Sequence, residues 1–490
     1  MERKDYYKIG ILMFLPVLIF FPVLNSTYFY TDEIVQIWLY RKNTSFAMDV
    51  GQGRILTDML YRLMFSNIDI IAQLTRLRLF ALITGIVSIP VWYVVFFRVS
   101  KDEGLPEQLP FFVVLFLVCS LPFGISIQWA SCMELVYAYT FGLLSGYFVY
   151  RHGTRGWAPA LIFGIISLSF YQNGFGCFLL PWFLQLIARQ KVDRKMLAPL
   201  VVYFVIYVVY FLLFVVVAKT VFHTGVSQRA ALATNPIAKG YLLLMKALQT
   251  SFHFNLVIQE DGLVVRSVYL VALAGILWLN YRSGIKRNYW QYVLVLFGAF
   301  ALIYLPSMII KENYASNRTL LGLDIAVFVW VYLTLVRKIK GSALFAAAGF
   351  LLVVVAAYNL RSVFVRPAVD EYTTLKNFID KNYRPEISTV DYIRSPEDLV
   401  RRKYGVGTSW DEYGLSSSFF DWVPDAVTRQ LVFEKTGNRA LAEKLIIRNW
   451  VRPGDYKAAA PQGGPGNLLI DAPAILMAGG KDVGSGDRPK

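Results

Sequence analysis

The chain reads as an all-α polytopic membrane protein of about eleven transmembrane helices with a small extracytoplasmic C-terminal domain, and three observations lead there. Of 490 residues, 56% are hydrophobic and 17% are charged, with a mean hydropathy of +0.48; soluble domains carry about 25% charged residues. Uncharged runs recur at 9–31, 109–133, 197–218, 288–310 and 341–360, each near the roughly 20 residues that a helix needs to cross a hydrocarbon core. The Lys and Arg residues between apolar runs gather in short loops at 98–101, 151–155, 189–195, 282–287 and 337–340. Short basic loops resist translocation, so all five are expected on the cytoplasmic side, with the N-terminus.

That expectation sets the number of crossings. The first run lacks a small-residue cleavage site and continues into Asn25-Ser-Thr-Tyr-Phe-Tyr30, so it reads as an uncleaved span. The uncharged stretch 156–188 would extend roughly 50 Å as one helix, against a core about 30 Å thick. Two short helices broken at Tyr171-Gln-Asn-Gly174 restore the parity. The predicted spans are 9–29, 77–97, 109–126, 133–150, 157–171, 174–188, 197–218, 265–281, 289–310, 319–336 and 342–358, with the N-terminus inside and the C-terminus outside.

Four segments then face outward: 30–76, 219–264, 311–318 and everything beyond 358. In the first, 34–40 and 55–65 show helical apolar spacing, predicting a pair of amphipathic helices at the membrane surface. After the transmembrane domain (1–358) the composition turns polar, predicting a soluble domain at 359–457 with helices near 372–381 and 396–403. A Gly- and Pro-rich tail, 458–490, is expected to be loosely ordered, with 468–470 and 474–477 as segments able to pack down.

Several function classes fall away. Cys119, Cys132 and Cys177 lack metal or redox spacing, and His152, His223 and His253 are scattered. No phosphate-binding loop for ATP is present. A net charge of +16 is accounted for by basic loops facing anionic lipid rather than by nucleic acid.

Outside the cytoplasm, nucleotide sugars are not at hand, and an enzyme there draws on lipid-carried substrates. Sugar transfer from a polyprenyl phosphate needs a carboxylate base for the acceptor hydroxyl and cations for the departing phosphate. The outer segments offer Asp32 and Glu33 directly after the first span, Arg54 beside Gly53, Arg229 in the long loop, and Lys311 and Arg318 before the tenth span. Each has a plainer reading. Asp32 and Glu33 suit a helix N-terminus, Arg54 suits an interfacial snorkel, and a single Arg229 in a long loop is ordinary. Tyr171 and Gln172, polar within an apolar run, shape a cavity or simply break the helix.

Thr31-Asp32-Glu33, Gly53-Arg54-Ile-Leu and Ser167-Leu-Ser-Phe-Tyr171-Gln172 together resemble the bacterial GT-C superfamily of membrane glycosyltransferases, more narrowly the Gtr-type enzymes that glucosylate O-antigen. The resemblance covers roughly the first 190 residues. It implies a multi-helix membrane fold in the bacterial inner membrane, an undecaprenyl-phosphate-linked sugar donor, and inverting transfer to a cell-envelope glycan or lipid-linked acceptor. It also implies a base at Asp32, with Glu33 as neighbour or substitute, and a phosphate-orienting role for Arg54. The family often carries two aspartates where this chain has Asp-Glu, leaving the assignment between the two positions open. No cofactor is required by the resemblance; a divalent metal is compatible with it but not indicated. Asp411-Glu-Tyr-Gly-Leu-Ser416 and Trp422 resemble the outer domains of some such enzymes, with acceptor contact as the expected role. A lipid-linked polysaccharide polymerase or ligase, a lipid-linked oligosaccharide transporter, and a non-enzymatic scaffold are the alternatives. The spans carry little charge (Glu134 and Asp324 lie near predicted ends), which counts against the transporter.

Overall fold

A computed structural model describes residues 1–41, 47–190, 197–223, 227, 231–258, 262–282, 289–311, 314–339, 341–459 and 466–478. The chain is a helical membrane protein. Seven described stretches are long and apolar enough to cross a bilayer: Arg3–Leu24, Ile71–Asp102, Ala130–Phe170, Ala198–Thr220, Leu263–Arg282, Asn317–Val336 and Ala343–Asn382. A pair bent by 47° at Ser120, Leu109–Cys119 with Leu121–Gln128, makes an eighth.

In chain order the first helices are α1 (Arg3–Leu24), α2 (Asp32–Arg41), α3 (Ala47–Gly51), α4 (Ile55–Phe65) and α5 (Leu74–Asp102). Next come α6 (Leu109–Cys119), α7 (Leu121–Gln128), α8 (Glu134–His152), α9 (Trp157–Phe170), α10 (Leu180–Arg189) and α11 (Leu197–Thr220). The bend between α6 and α7 has a local cause. Ser120 is extended (ψ 149°) and its Oγ accepts the Phe123 N–H at 3.3 Å, capping α7, while Pro122 sits in the first turn where no N–H is needed.

The stretch Ala130–Phe170 is not one rod. Gly153 (φ +55°) turns the chain, and α9 packs back along α8. Phe141 stacks on Phe163, and Ser145 Oγ donates to the Ala160 carbonyl at 2.6 Å. At its far end α9 stops at Phe170, Tyr171 is extended (φ −157°), and a 3-10 segment, Gln172–Leu179, leads into α10.

The next elements are α12 (Pro236–Leu242), α13 (Leu248–Ser251), α14 (Leu263–Arg282), α15 (Tyr289–Ile303), α16 (Leu305–Ile309), α17 (Asn317–Val336) and α18 (Ser342–Tyr358). α17 is buried along nearly its whole length, whereas α14 buries Tyr269, Ile276 and Asn280 and turns Leu263, Val264 and Val271 outward. An apolar face left outward is what a lipid solvent permits.

The described residues that flank the basic loops meet at one end of the bundle. Arg151 pairs with Asp102 at 3.1 Å and Arg189 with Glu103 at 2.8 Å. Arg337 donates to the Ile187 carbonyl and Lys338 to the Arg282 carbonyl. Lys4, near the N-terminus, reaches Glu107 at the same end (3.3 Å).

The C-terminal part continues from the membrane helices without a break: a π-helical turn, Asn359–Val365, carries α18 into α19 (Arg366–Asn382). The chain is mainly helical, as expected, with one small sheet added. A parallel three-stranded sheet, order β2-β1-β3, is built from β1 (Thr389–Ile393), β2 (Ile446–Trp450) and β3 (Asn467–Asp471). Around it lie α20 (Leu399–Tyr404), α21 (Val423–Thr436), α22 (Arg439–Lys444), α23 (Pro453–Ala459) and α24 (Ala472–Ala478). In the tail, the segments expected to be able to pack down do so: described residues 466–478 supply β3 and α24, with Leu468, Ile470, Ile475 and Leu476 buried.

The first outer loop differs from the expected pair of surface helices. α4 fits, turning Met59 and Leu63 outward while burying Thr57, Asp58, Tyr61 and Phe65. α2 is instead enclosed between the bundle and α21, with Trp38 edge-on to Phe433 and under the Arg439 guanidinium (4.2 Å).

Candidate active site

Adjacent carboxylates at the start of α2 have opposite surroundings. Thr31 turns the chain with φ +37°, and the helix phase then sends Glu33 into the protein. Its Oε2 accepts the Tyr30 N–H at 2.8 Å and the Arg78 guanidinium at 2.7 Å, and its Oε1 accepts the Ala130 N–H at 2.5 Å. Arg78 lies 3.5 Å over the Tyr28 ring, and both members of the ion pair are fully buried. Both oxygens of Glu33 are thus engaged by internal donors in a setting closed to solvent, an arrangement that suits a structural role. Asp32 is half-buried, on the side that faces α3 and α4.

The loop that follows adds carboxylates that the sequence reading did not single out. Asp49, in α3, is buried, and its Oδ2 has no hydrogen-bond partner among the described residues. Burial and the negative charges of Asp58 and Asp32 outweigh the pull of Arg54 and push the Asp49 carboxyl up to about 7. Asp58, in α4, accepts from Tyr40 Oη at 3.3 Å and from Arg62 at 3.1 Å. Deeper in, the Glu134 carboxyl meets Tyr61 Oη.

Arg54 stands at the head of α4, its backbone N–H bonded to the Asp49 carbonyl at 2.8 Å. The guanidinium lies 4.5 Å over the Tyr171 ring, and its Nε is unpartnered among the described residues. The loop is pinned from the membrane side. Gln172 Nε2 donates to the Gln52 carbonyl at 2.7 Å and to Tyr210 Oη at 2.9 Å, and Tyr210 donates to the Gly53 carbonyl at 3.0 Å. Gly53 has φ +85°, and a Cβ there would come 2.2 Å from Tyr210 Oη. The polar pair that breaks the α9–α10 run therefore lies directly against the Gly-flanked arginine.

Arg318, in the first turn of α17, enters from the other side. It donates to Asp411 Oδ2 at 2.8 Å and to Tyr314 Oη at 2.7 Å, approaches Glu412 Oε1 at 3.4 Å, and lies 5.1 Å from the Trp129 ring centre. Glu412 is fully buried and accepts the Asn317 and Arg318 backbone N–H groups at 2.7 and 3.0 Å, a cap supplied by the C-terminal domain to a membrane helix. Tyr171, stacked under Arg54, also lies within electrostatic reach of Arg318. Lys311 is exposed, its backbone N–H bonded to the Ala231 carbonyl at 2.6 Å, and no contact among the described residues joins it to either arginine. Arg229 lies outside the described residues.

Asp32, Arg54, Tyr171, Gln172 and Arg318, scattered over nearly 300 residues of chain, thus converge at one end of the bundle with Asp49, Asp58, Asp411 and Glu412. That end is opposite the basic loops. Among the described residues, no group of three or more His, Cys, Asp or Glu side chains is arranged to hold a metal ion. Asp49 carried one sequence signal, a carboxylate five residues before Arg54 in the Gly-punctuated segment Asp49-Val-Gly-Gln-Gly-Arg54. No protein-family model matches the chain, and no curated protein matches it significantly.

Proposed function

We propose that this protein is a membrane glycosyltransferase that moves a sugar from a polyprenyl-phosphate donor to a cell-envelope glycan or lipid-linked acceptor. The observation that carries the reading is the closeness of two carboxylates, Asp32 and Asp49, to a cation, Arg54, that acts on Asp49 and whose Nε has no hydrogen-bond partner among the described residues. The chain crosses a bacterial inner membrane about eleven times, basic loops inside, so the cluster and the C-terminal domain face outward.

In the reaction, a carboxylate of the Asp32–Asp49 pair accepts the proton of the acceptor hydroxyl. The oxygen forms its bond to the anomeric carbon as the bond from that carbon to the donor phosphate oxygen breaks, with inversion. The phosphate leaves with its charge held by Arg54, and by Arg318 if that cation is released from its carboxylates. A general base works best with its pKa near the operating pH, which suits Asp49, raised to about 7 chiefly by burial, as the proton acceptor, with Asp32 holding the acceptor hydroxyl beside it. Tyr171 and Gln172 hold the loop in place.

The test is consumption of labelled polyprenyl-phosphate sugars by the purified protein. Donor turnover abolished by Asp32→Asn in a folded protein supports the reading; absence of turnover across glucose, mannose, galactose and aminoarabinose donors contradicts it. A polymerase or ligase would instead consume lipid-linked oligosaccharide in the same assay.

A further inference from the structure

Asp411 and Glu412 are neighbours on one loop, and both reach Arg318, yet they are held differently. Glu412 is fully buried and locked by two backbone N–H groups of α17. Asp411 keeps 28% of its side chain exposed and is held by two side chains, Arg318 and Tyr314. The loop doubles back through a bridge between Ser409 and Tyr413, with Trp410 at φ +50° and Gly414 at φ +73°. A left-handed tryptophan is a strained conformation that persists where the surroundings enforce it.

We propose that the Asp411 carboxylate is an internal stand-in for phosphate on Arg318, and that the phosphate of a lipid-linked donor displaces it, so that the C-terminal domain gates loading of the donor. The inference rests on the glycosyltransferase reading above. Charge makes the displacement necessary. With Asp411 in place, one guanidinium already faces two carboxylates, and an arriving phosphate would meet net negative charge. Moving Asp411 aside leaves Arg318 with Glu412 behind it and its outer N–H groups free for phosphate oxygens. Asp411 is also the carboxylate able to move, since it keeps 28% of its side chain exposed, whereas Glu412 is enclosed and held by backbone donors. Glu412 stays, keeping α17 capped and the guanidinium aimed.

The experiment is binding of undecaprenyl phosphate to the full-length protein in detergent, with inorganic phosphate as the comparison ligand. Asp411→Asn keeps the shape and an acceptor for Arg318 but removes the competing charge. It is expected to tighten undecaprenyl-phosphate binding roughly three- to fivefold, the size of a partly exposed ion pair, and to have no effect when Arg318 is replaced by Met. Tyr314→Phe, which loosens Asp411 without changing charge, should shift affinity in the same direction by less. Wild-type binding left unchanged or weakened by both variants overturns the gate while leaving the transferase reading standing. No binding of the lipid phosphate by wild type or either variant overturns both. Equal tightening for inorganic phosphate assigns the site to the phosphate alone rather than to the lipid-linked form.

Discussion

Glu33 and Arg78 form an ion pair at 2.7 Å with both side chains fully shut off from solvent, one residue away from the proposed catalytic carboxylate. Removing one partner of such a pair leaves the other charge buried and uncompensated, at about 3–5 kcal/mol. Glu33→Gln is therefore expected to lower the melting temperature markedly in detergent, while transfer per folded molecule stays near wild type. A variant with unchanged stability and abolished transfer would return Glu33 to the catalytic set.

Asp49 predicts two pH dependences of opposite sense. Its carboxyl titrates near 7 in the folded protein against 3.8 ordinarily, so the folded state holds a proton that the unfolded state has lost between those values. Stability from this residue falls as pH rises through that window and is level above it. Asp49→Asn should accordingly raise the melting temperature relative to wild type at pH 8, with the gain shrinking toward pH 5. Transfer by wild type should do the reverse, rising with pH to a plateau above about 7, where the base is free of its proton. Melting and initial-rate series across pH 5–9 check both.

The loop carrying Arg54 depends on Gly53. A methyl group there meets Tyr210 Oη at 2.2 Å and sits at a φ that L-residues resist; the conformational part alone is of order 1–3 kcal/mol. Gly53→Ala should lose most transfer without unfolding the bundle. Adding Tyr210→Phe, which removes the clashing oxygen, should restore part of it. An active Gly53→Ala enzyme would show that the loop geometry is dispensable.

Arg54 should tolerate lysine poorly. The guanidinium lies against the Tyr171 ring and offers forked donors, which an ammonium lacks. Arg54→Lys is expected to reduce kcat/KM for the donor by roughly 10- to 100-fold, the range of a charge-assisted hydrogen bond of about 1.5–3 kcal/mol. Steady-state kinetics against donor concentration would show it, and an unchanged kcat/KM would remove Arg54 from the phosphate.

Much of this arrangement was legible beforehand because the bilayer imposes simple rules. Apolar length located the helices, and the basic loops named the end away from which Asp32, Arg54 and Arg318 would gather. Tyr171 and Gln172 stood out because polar groups in an apolar run need partners, and those partners proved to be Gln52, Tyr210 and Arg54. The division of labour between Asp32 and Glu33 was not legible. One helical step of about 100° decides which faces Arg78, and the turn at Thr31 sets that phase. Asp49 lay in a segment with no periodic pattern. The sheet escaped because its three strands have five residues each and pair across long stretches of chain, so no local alternation marks them. Asp411 and Glu412 were visible as a motif, but nothing local said that they would cap and neutralise the start of a helix nearly a hundred residues earlier.

The most direct test of the central claim is the rate of sugar transfer from a labelled polyprenyl-phosphate donor by wild type, Asp32→Asn and Asp49→Asn, each with its folded fraction measured. The account predicts that both substitutions lower kcat by about 10²- to 10⁴-fold, the range supplied by a positioned general base, and that the acid limb of the pH profile near 7 disappears with Asp49. Transfer at wild-type rate by folded Asp32→Asn and Asp49→Asn proteins would contradict it.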